Sequence, residues 1–482
     1  MNRPTPAQVA EWTGMDTMDP GRDPSVEDPS TGSVIARIVD VGEDGIDTAV
    51  RRAQQGAELW GAMAPRDRAS ALLELADAIE DNADALGALE ALDVGKPVSL
   101  VPGEIASAVD KVRFYAGAAR QLAGLAVAEY RPPFTSMLRR DPIGVVAALT
   151  PWNYPFALGI WKVAPALAAG NAVVLKPSPQ TPLTTLMLGR LAQQVLPPGV
   201  LEVVTGGPVT GRALVRHSGI DMIALTGGTQ TGMAVMAEAA HRVTPVQLEL
   251  GGNAAVLVFE DADLDRLRQA YFMAAFRNSG QDCHAATRVY TTPERADEVA
   301  EVISSVARST IVGDPFDATT MMGPLVSAQH LANVSAMVDA AIATPGVRVL
   351  TGGTRLPGPG HFYPPTVLTG AEHASPIVQE EIFGPVVTIC TFTDEREAVQ
   401  RANDVSQGLA ASIWTSDMDR VLRVSRQLKV GTIWVNAHGA TVAEMPFGGT
   451  KESGFGRDLS AMALEQYTIA KHVAIHVQSL PD

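Results

Sequence analysis

Between residues 141 and 260 short apolar runs alternate with Gly-, Pro- or Asn-containing turns and Ala- and Leu-rich stretches. The apolar runs are Gly144–Leu149, Ala172–Leu175, Val200–Val204, Met222–Leu225 and Gln247–Leu250. Nearly continuous apolar strands joined by helical connections predict a parallel sheet covered on both faces. In such sheets ligands gather beyond the carboxyl ends of the strands. Those ends here carry Thr150-Pro151-Trp152-Asn153, Lys176-Pro177, Thr205-Gly206-Gly207, Thr226-Gly227-Gly228 and Gly251-Gly252.

The flanking segments read differently. Residues 1–45 are rich in Pro, Asp, Gly and Thr, and predict an extended arm with one short strand at Ser33–Val39. From Asp47 to Asn82 apolar residues recur three and four apart, with Pro65 at a helix start, and helix resumes over residues 103–123. Leu125–Tyr130 and Ser136–Arg140, separated by Pro132-Pro133, predict a hairpin that is either a subunit edge or a plain surface feature. Residues 261–435 repeat the α/β rhythm, with strands near 286–291, 347–351, 385–391 and 431–435. The alternating run Tyr467–Val477 predicts a strand that pairs with the hairpin.

Composition narrows the function classes. At 482 residues the chain exceeds what one core supports. Its net charge of −16 disfavours nucleic acid and anionic membrane surfaces as partners. No run approaches about 18 uninterrupted apolar residues, and the N-terminal region has no apolar signal core. The two cysteines, Cys283 and Cys390, form neither a disulfide framework nor a zinc spacing, so no metal site and a reducing, cytoplasmic setting are expected.

Several residues are candidates for chemistry, each beside a plainer reading. Cys283, ending Phe276-Arg277-Asn278-Ser279-Gly280-Gln281-Asp282-Cys283, is either a nucleophile or a small buried hydrophobe. Glu249, between Leu248 and Leu250, is either a general base with a raised pKa or a carboxylate satisfied by backbone amides. Asn153 is an oxyanion donor or a turn residue, and Lys176 a ribose or phosphate ligand or a surface lysine. The turn Thr226–Gly232 could cradle a pyrophosphate or simply join strand to helix. Glu381 is ambiguous alone.

The order and spacing of these segments resemble the aldehyde dehydrogenase superfamily. The matching motifs are Pro151-Trp152-Asn153-Tyr154-Pro155, Lys176-Pro177-Ser178, Leu225-Thr226-Gly227, Leu248-Glu249-Leu250-Gly251-Gly252, Gly280-Gln281-Asp282-Cys283, Glu381-Ile382-Phe383-Gly384-Pro385 and Pro446-Phe447-Gly448-Gly449. The resemblance implies an α/β fold with a Rossmann-like cofactor domain (1–123 and 141–250), a second α/β catalytic domain (251–460) and a small β oligomerisation element (124–140 and 461–482). It implies a dimeric or tetrameric enzyme in which Cys283 attacks the aldehyde, Asn153 and the Cys283 amide hold the oxyanion, and Glu249 activates water. Trp152, Lys176, Ser178, Gly206, Gly227, Gly228, Gly232, Glu381 and Phe383 are then expected along the cofactor. The residue types suit that chemistry: hydride leaves a tetrahedral carbon, which needs a covalent nucleophile, and a cofactor must accept it.

Some positions depart from the common pattern. Pro179 stands where NAD-preferring members often have Glu, Gly228 replaces a usual Ser, Asn253 replaces a common Lys, and His284 follows the cysteine where smaller residues are usual. NAD is expected, with NADP tolerated. Arg113–Arg120, Thr135–Pro142, Gly280–Cys283, Trp434–His438 and Glu444-Met445-Pro446 are similar to bacterial γ-aminobutyraldehyde (4-aminobutanal) dehydrogenases. That similarity implies an ω-aminoaldehyde substrate, with Asp282 and Glu444 attracting its ammonium group and Tyr154, Trp161, His284 and Phe447 shaping the pocket. Betaine aldehyde or a neutral aldehyde is the alternative. A Cys283–His284 hydrolase, a CoA-acylating enzyme and a catalytically silent protein on the same fold are more remote alternatives.

Overall fold

The computed structural model describes residues 1–14, 24–122 and 124–478. Two large sheets dominate it. The first has six strands in the order Gly454–Phe455, Val246–Glu249, Met222–Thr226, Val145–Leu149, Ala172–Lys176 and Leu201–Val203. Its last five strands are parallel, as their unbroken apolar runs require. The chain starts at Val145–Leu149, adds two strands on one side, then returns to add two on the other. That reversal puts a topological switch point between Leu149 and Leu225, where a crevice opens beyond the strand ends.

The second sheet has seven strands in the order Arg348–Thr351, Thr366–Thr369, Val386–Thr391, Arg288–Thr291, Ala255–Val258, Ala410–Trp414 and Thr432–Val435. All neighbours are parallel except the first pair. Each large sheet has apolar clusters on both faces. A further cluster, including Leu158, Trp161, Trp434 and Phe447, packs beside Cys283 and Tyr154. The strand Gly454–Phe455 leaves the second half of the chain and pairs antiparallel with Val246–Glu249. Glu249 is therefore fixed by both halves.

The third unit is a three-stranded sheet. Phe134–Pro142 pairs antiparallel with Ala128–Arg131 on one side and along all nine residues of Thr468–His476 on the other. The strand expected at the tail does pair with the hairpin. The helix Ser460–Gln466, just before it, buries Ala463 and Leu464 in the core of the first lobe.

Several elements differ from the sequence-based expectation. The N-terminal arm contains a helix, Pro6–Thr13, nucleated by a capping box between Thr5 and Gln8 with Pro6 at its first position. Residues 15–23 of that arm lie outside the described residues. The strand Ser33–Arg37 pairs with a second strand, Ser25–Asp28. The helix Ala83–Val94 was not anticipated because every residue from Leu86 to Val94 is buried, which erases the amphipathic stripe. The strands Ala255–Val258, Thr366–Thr369 and Ala410–Trp414 are only four or five residues long and also escaped that reading. Among the described residues no helix is long and apolar enough to cross a membrane.

Candidate active site

The helix Leu264–Tyr271 does not end in an ordinary cap. It widens into a π turn at Phe272–Phe276, a geometry frequent at functional sites, then tightens at Arg277–Gly280. Asn278, Ser279 and Gly280 are all left-handed, with φ of 50°, 58° and 67°. Gly280 is required twice over, because a Cβ there would also sit 2.3 Å from the Gly384 carbonyl oxygen. The strain is held by side chains bonded to backbone. Ser279 Oγ donates to the Gly323 carbonyl at 2.8 Å, and Asn278 Nδ2 donates to the Asn153 carbonyl at 2.9 Å. Gln281 Nε2 donates to the Asn278 carbonyl, and its Oε1 accepts from the Val326 amide at 2.8 Å. The loop thus fixes Cys283, which is half-buried at the wall of a tunnel of about 340 Å³.

Asn153 lies behind this loop. It is 3% exposed, and its Nδ2 donates one bond to the Gln281 carbonyl at 3.0 Å, leaving a second N–H. Glu249 closes another side of the tunnel. It is buried, and among the described residues neither carboxylate oxygen has a hydrogen-bond partner. Its side chain packs on the Cα of Gly448, where a Cβ would approach Oε1 to 2.3 Å. Burial, reinforced by Asp458, raises the Glu249 pKa well above the ordinary carboxylate range, against the opposing pull of Lys162. Burial also raises the Cys283 thiol pKa, with Asp282, Glu381 and Glu249 adding to it. Thiol and carboxylate are therefore both biased to their neutral forms.

The switch-point crevice is a separate groove of about 570 Å³. Trp152, Lys176, Ser178, Gly227 and Gly228 line it, as expected. The helix Thr229–Ala240 starts at its edge with no side-chain cap, leaving the first-turn amides for a ligand. No atom lies within 4 Å of a Cβ placed on Gly228, so the space before that helix is open. Lys176 is buried, which lowers its pKa to about 8 despite the nearby Asp40. Among the described residues its Nζ donates only to the Pro177 carbonyl, at 3.2 Å. A dinucleotide fits this set: an open turn, uncapped amides for phosphate, a cationic donor and an aromatic wall.

Other expected cofactor residues sit elsewhere. Gly206 does not line the groove; its Cα packs on Asp40 and Thr210, and Gly207 lines it instead. Gly232 is a packing glycine, since a Cβ would approach Leu250 Cδ1 to 2.6 Å. Glu381 accepts a 2.9 Å bond from the Gly252 amide, and burial pushes its pKa up to about 8. Phe383 has a φ of 55° and packs edge-on to Trp152, with centroids 5.2 Å apart. His330, which sequence reasoning missed, touches both rings and bonds the Phe383 carbonyl at 2.8 Å. Asn253 ties the turn after Glu249 to the carbonyl of Val378 and the hydroxyl of Thr287.

The tunnel residues also need correction. Tyr154, Trp161, Asp282, His284 and Phe447 do line it. Glu444 does not; it is exposed, because Ala443 and Phe447 take the inward positions of that loop. Asp282 is no free counter-ion. Burial opposes its ionisation, but His284, Arg277 and Tyr154 outweigh that and hold it well below the usual carboxylate range. It pairs with His284 Nδ1 at 2.8 Å and Arg277 Nη2 at 3.1 Å, and accepts from Tyr154 Oη at 2.8 Å. His284 Nδ1 is 3.8 Å from Cys283 Sγ. Asp282, Cys283 and His284 place ligand-type atoms within 4.8 Å of one another, but the carboxylate is already committed to these partners. Lys96, Glu104, Lys111 and Arg277 also line the tunnel, and nothing in their sequence context singled them out.

The aldehyde dehydrogenase family model matches residues 17–473, which is nearly the whole chain. The chain belongs to the aldehyde dehydrogenase family. Solved structures agree with that membership. The aldehyde dehydrogenase of Bacillus cereus, determined as an NAD+ complex, is 37% identical, with a TM-score of 0.93 over 95% of this chain and 94% of that one. Betaine aldehyde dehydrogenase from Staphylococcus aureus, also with NAD+, is 33% identical, with a TM-score of 0.92 over 95% and 92%. PnpE from Pseudomonas sp. WBC-3 is 36% identical, with a TM-score of 0.92 over 95% of each chain. The aldehyde dehydrogenase fold accounts for both large sheets and the switch-point groove.

Proposed function

We propose that this protein oxidises an aldehyde to its carboxylic acid with NAD, through a covalent intermediate on Cys283. The observation that carries the reading is the tunnel itself, lined by a fixed cysteine and a buried carboxylate with both oxygens unpartnered. Cys283 Sγ attacks the aldehyde carbon. Its proton is lost to solvent, and the new oxyanion takes hydrogen bonds from the second Asn153 N–H and the Cys283 amide. A nicotinamide dinucleotide in the groove supplies the hydride acceptor. Glu249 then withdraws a proton from water, which attacks the resulting Cys283 thioester and releases the acid. Lys176, Ser178, Gly227 and Gly228 hold the adenosine and phosphate side, with Trp152 and Phe383 along the cofactor and Glu381 on the nicotinamide ribose. NADP is tolerated, because Pro179 offers no carboxylate to reject a 2′-phosphate and Arg212 lines the same groove.

Residues 1–123 and 141–250 act as the cofactor domain and 251–460 as the catalytic domain. The hairpin and tail strand serve homodimer or tetramer assembly. The narrower 4-aminobutanal reading rests on an ammonium site at Asp282, Glu444 and Tyr154. Three observations weigh against it: Asp282 is ion-paired, Glu444 is exposed, and Lys96 Nζ already lies 3.8 Å from the Tyr154 ring centroid. The quaternary ammonium of betaine aldehyde meets the same obstacles.

The test is absorbance at about 340 nm from reduced cofactor. Hexanal with NAD should give a steady rise without added CoA. No rise with any aldehyde would reject the reading, and a strict CoA requirement would reassign it to acyl transfer.

A further inference from the structure

Lys111 is 2% exposed and lines the tunnel, yet it forms no ion pair with any carboxylate among the described residues. It lies on the helix Val101–Ala118, and its Nζ donates to Ser107 Oγ at 2.7 Å and to the Ser107 carbonyl at 3.2 Å. An ammonium has three N–H groups, so one remains. The acids that act on it electrostatically, Asp110 and Glu444, are both exposed. Nearby, Nζ is 5.8 Å from the Trp161 ring centroid, Trp161 packs on Phe447, and Phe447 packs on His284, next to Cys283. A continuous aromatic wall therefore runs from the candidate nucleophile to an amine with no ion pair among the described residues.

A second cation on the wall is also under-used. Arg277 gives Nη2 to Asp282, but its Nε is buried without a partner. The remaining cation, Lys96, is saturated by Glu90 and Glu104 at 2.7 and 2.8 Å. Among the ionised side chains lining the tunnel, the unmet hydrogen-bonding capacity thus belongs to cations. The acids are matched or, like Glu249, biased towards the neutral form by burial. Leaving a buried cation unpaired is costly, and an anionic ligand group would relieve it.

We propose that the tunnel selects aldehydes bearing a carboxylate at the far end of a short chain, with Lys111 as counter-ion and Arg277 as a second donor on the wall. The substrate class is the ω-oxo acids, whose oxidation yields dicarboxylic acids. The apolar stem lies along Trp161 and Phe447, and the aldehyde reaches Cys283. This inference rests on the aldehyde oxidation proposed above.

The experiment measures kcat/KM for 4-oxobutanoate, 5-oxopentanoate and 6-oxohexanoate beside pentanal, hexanal and 4-aminobutanal. The wild type should favour at least one oxo acid over the neutral aldehyde of equal chain length by tenfold or more, with 4-aminobutanal poorest. Lys111→Met should cut the oxo-acid to neutral-aldehyde ratio by roughly 10- to 100-fold, the range expected for a lost charge-assisted hydrogen bond. Lys111→Arg should keep most of that ratio. An oxo-acid preference absent from the wild type, or a ratio unmoved by Lys111→Met, overturns the proposal. If Lys111→Met does not fold, the wild-type ranking and Lys111→Arg still decide it. Oxidation of no aldehyde in the panel would instead defeat the underlying reading.

Discussion

The groove at the switch point and the tunnel beside Cys283 share Thr226 at one strand end, yet they are built from different materials. The groove draws much of its binding capacity from backbone: strand ends, Gly227, Gly228 and the uncapped start of the helix at Thr229. The tunnel is mostly side chains, with several charged groups partly cancelling one another. A backbone site is set by topology and tolerates change in the side chains around it. A side-chain site changes its preference with a single substitution. The shared chemistry of the family should therefore survive in the groove and the Cys283 loop, and this chain's individuality should lie in the tunnel.

Substitutions can break that contrast at graded strength. Cys283→Ala removes the proposed nucleophile and should lower kcat on the order of 10⁴-fold in steady-state assays. Its cofactor affinity, measured by fluorescence titration, should stay near wild type because the groove is separate. Glu249→Gln keeps the shape but not the base, and should slow turnover by roughly 10³-fold. A stopped-flow trace of that variant should still show one burst of reduced cofactor per site before stalling. A lost burst would mean that Glu249 is needed before the thioester forms. Asn153→Ala should lower kcat by about 10²-fold through loss of an oxyanion donor, with KM little changed.

Acidity offers another way to sharpen the comparison. Burial raises the pKa of both Cys283 and Glu249, and each reacts only after losing a proton. The sign is therefore fixed: kcat should rise as pH increases from neutral into the alkaline range. A profile that falls over that interval would contradict the burial argument. Lys176 belongs to the groove, and its ammonium is lost as pH passes about 8. Lys176→Met should weaken cofactor binding by about tenfold, the smallest effect in this series, and flatten any loss of cofactor affinity above that pH.

Much of the architecture was legible from residue patterns. The parallel strands announced themselves as unbroken apolar runs ending in glycine, and their ends became the groove. The motifs singled out Cys283, Glu249 and Trp152, and the structure places the first two on the tunnel and Trp152 on the groove. The helix Ala83–Val94 was hidden because burial on all sides removes periodicity. Tunnel charges were misjudged for a different reason. Asp282 beside a cysteine looks like a free acid in sequence, but Arg277, Tyr154 and His284 converge on it in space. Glu444 appeared to face inward until the loop turned Ala443 and Phe447 to the core instead. Lys111 carried no signal, since a lysine within an amphipathic helix ordinarily faces water. Gly206 and Gly232 show the converse error, because glycine near a ligand groove serves close packing as readily as ligand contact.

The central claim is a covalent acyl intermediate on Cys283 formed by oxidation of an aldehyde. Its most direct test is rapid-quench mass spectrometry of the Glu249→Gln protein mixed with NAD and hexanal. The account predicts a hexanoyl adduct on the peptide containing Cys283, appearing in step with reduced cofactor. Reduced cofactor formed with Cys283 unmodified throughout would contradict it.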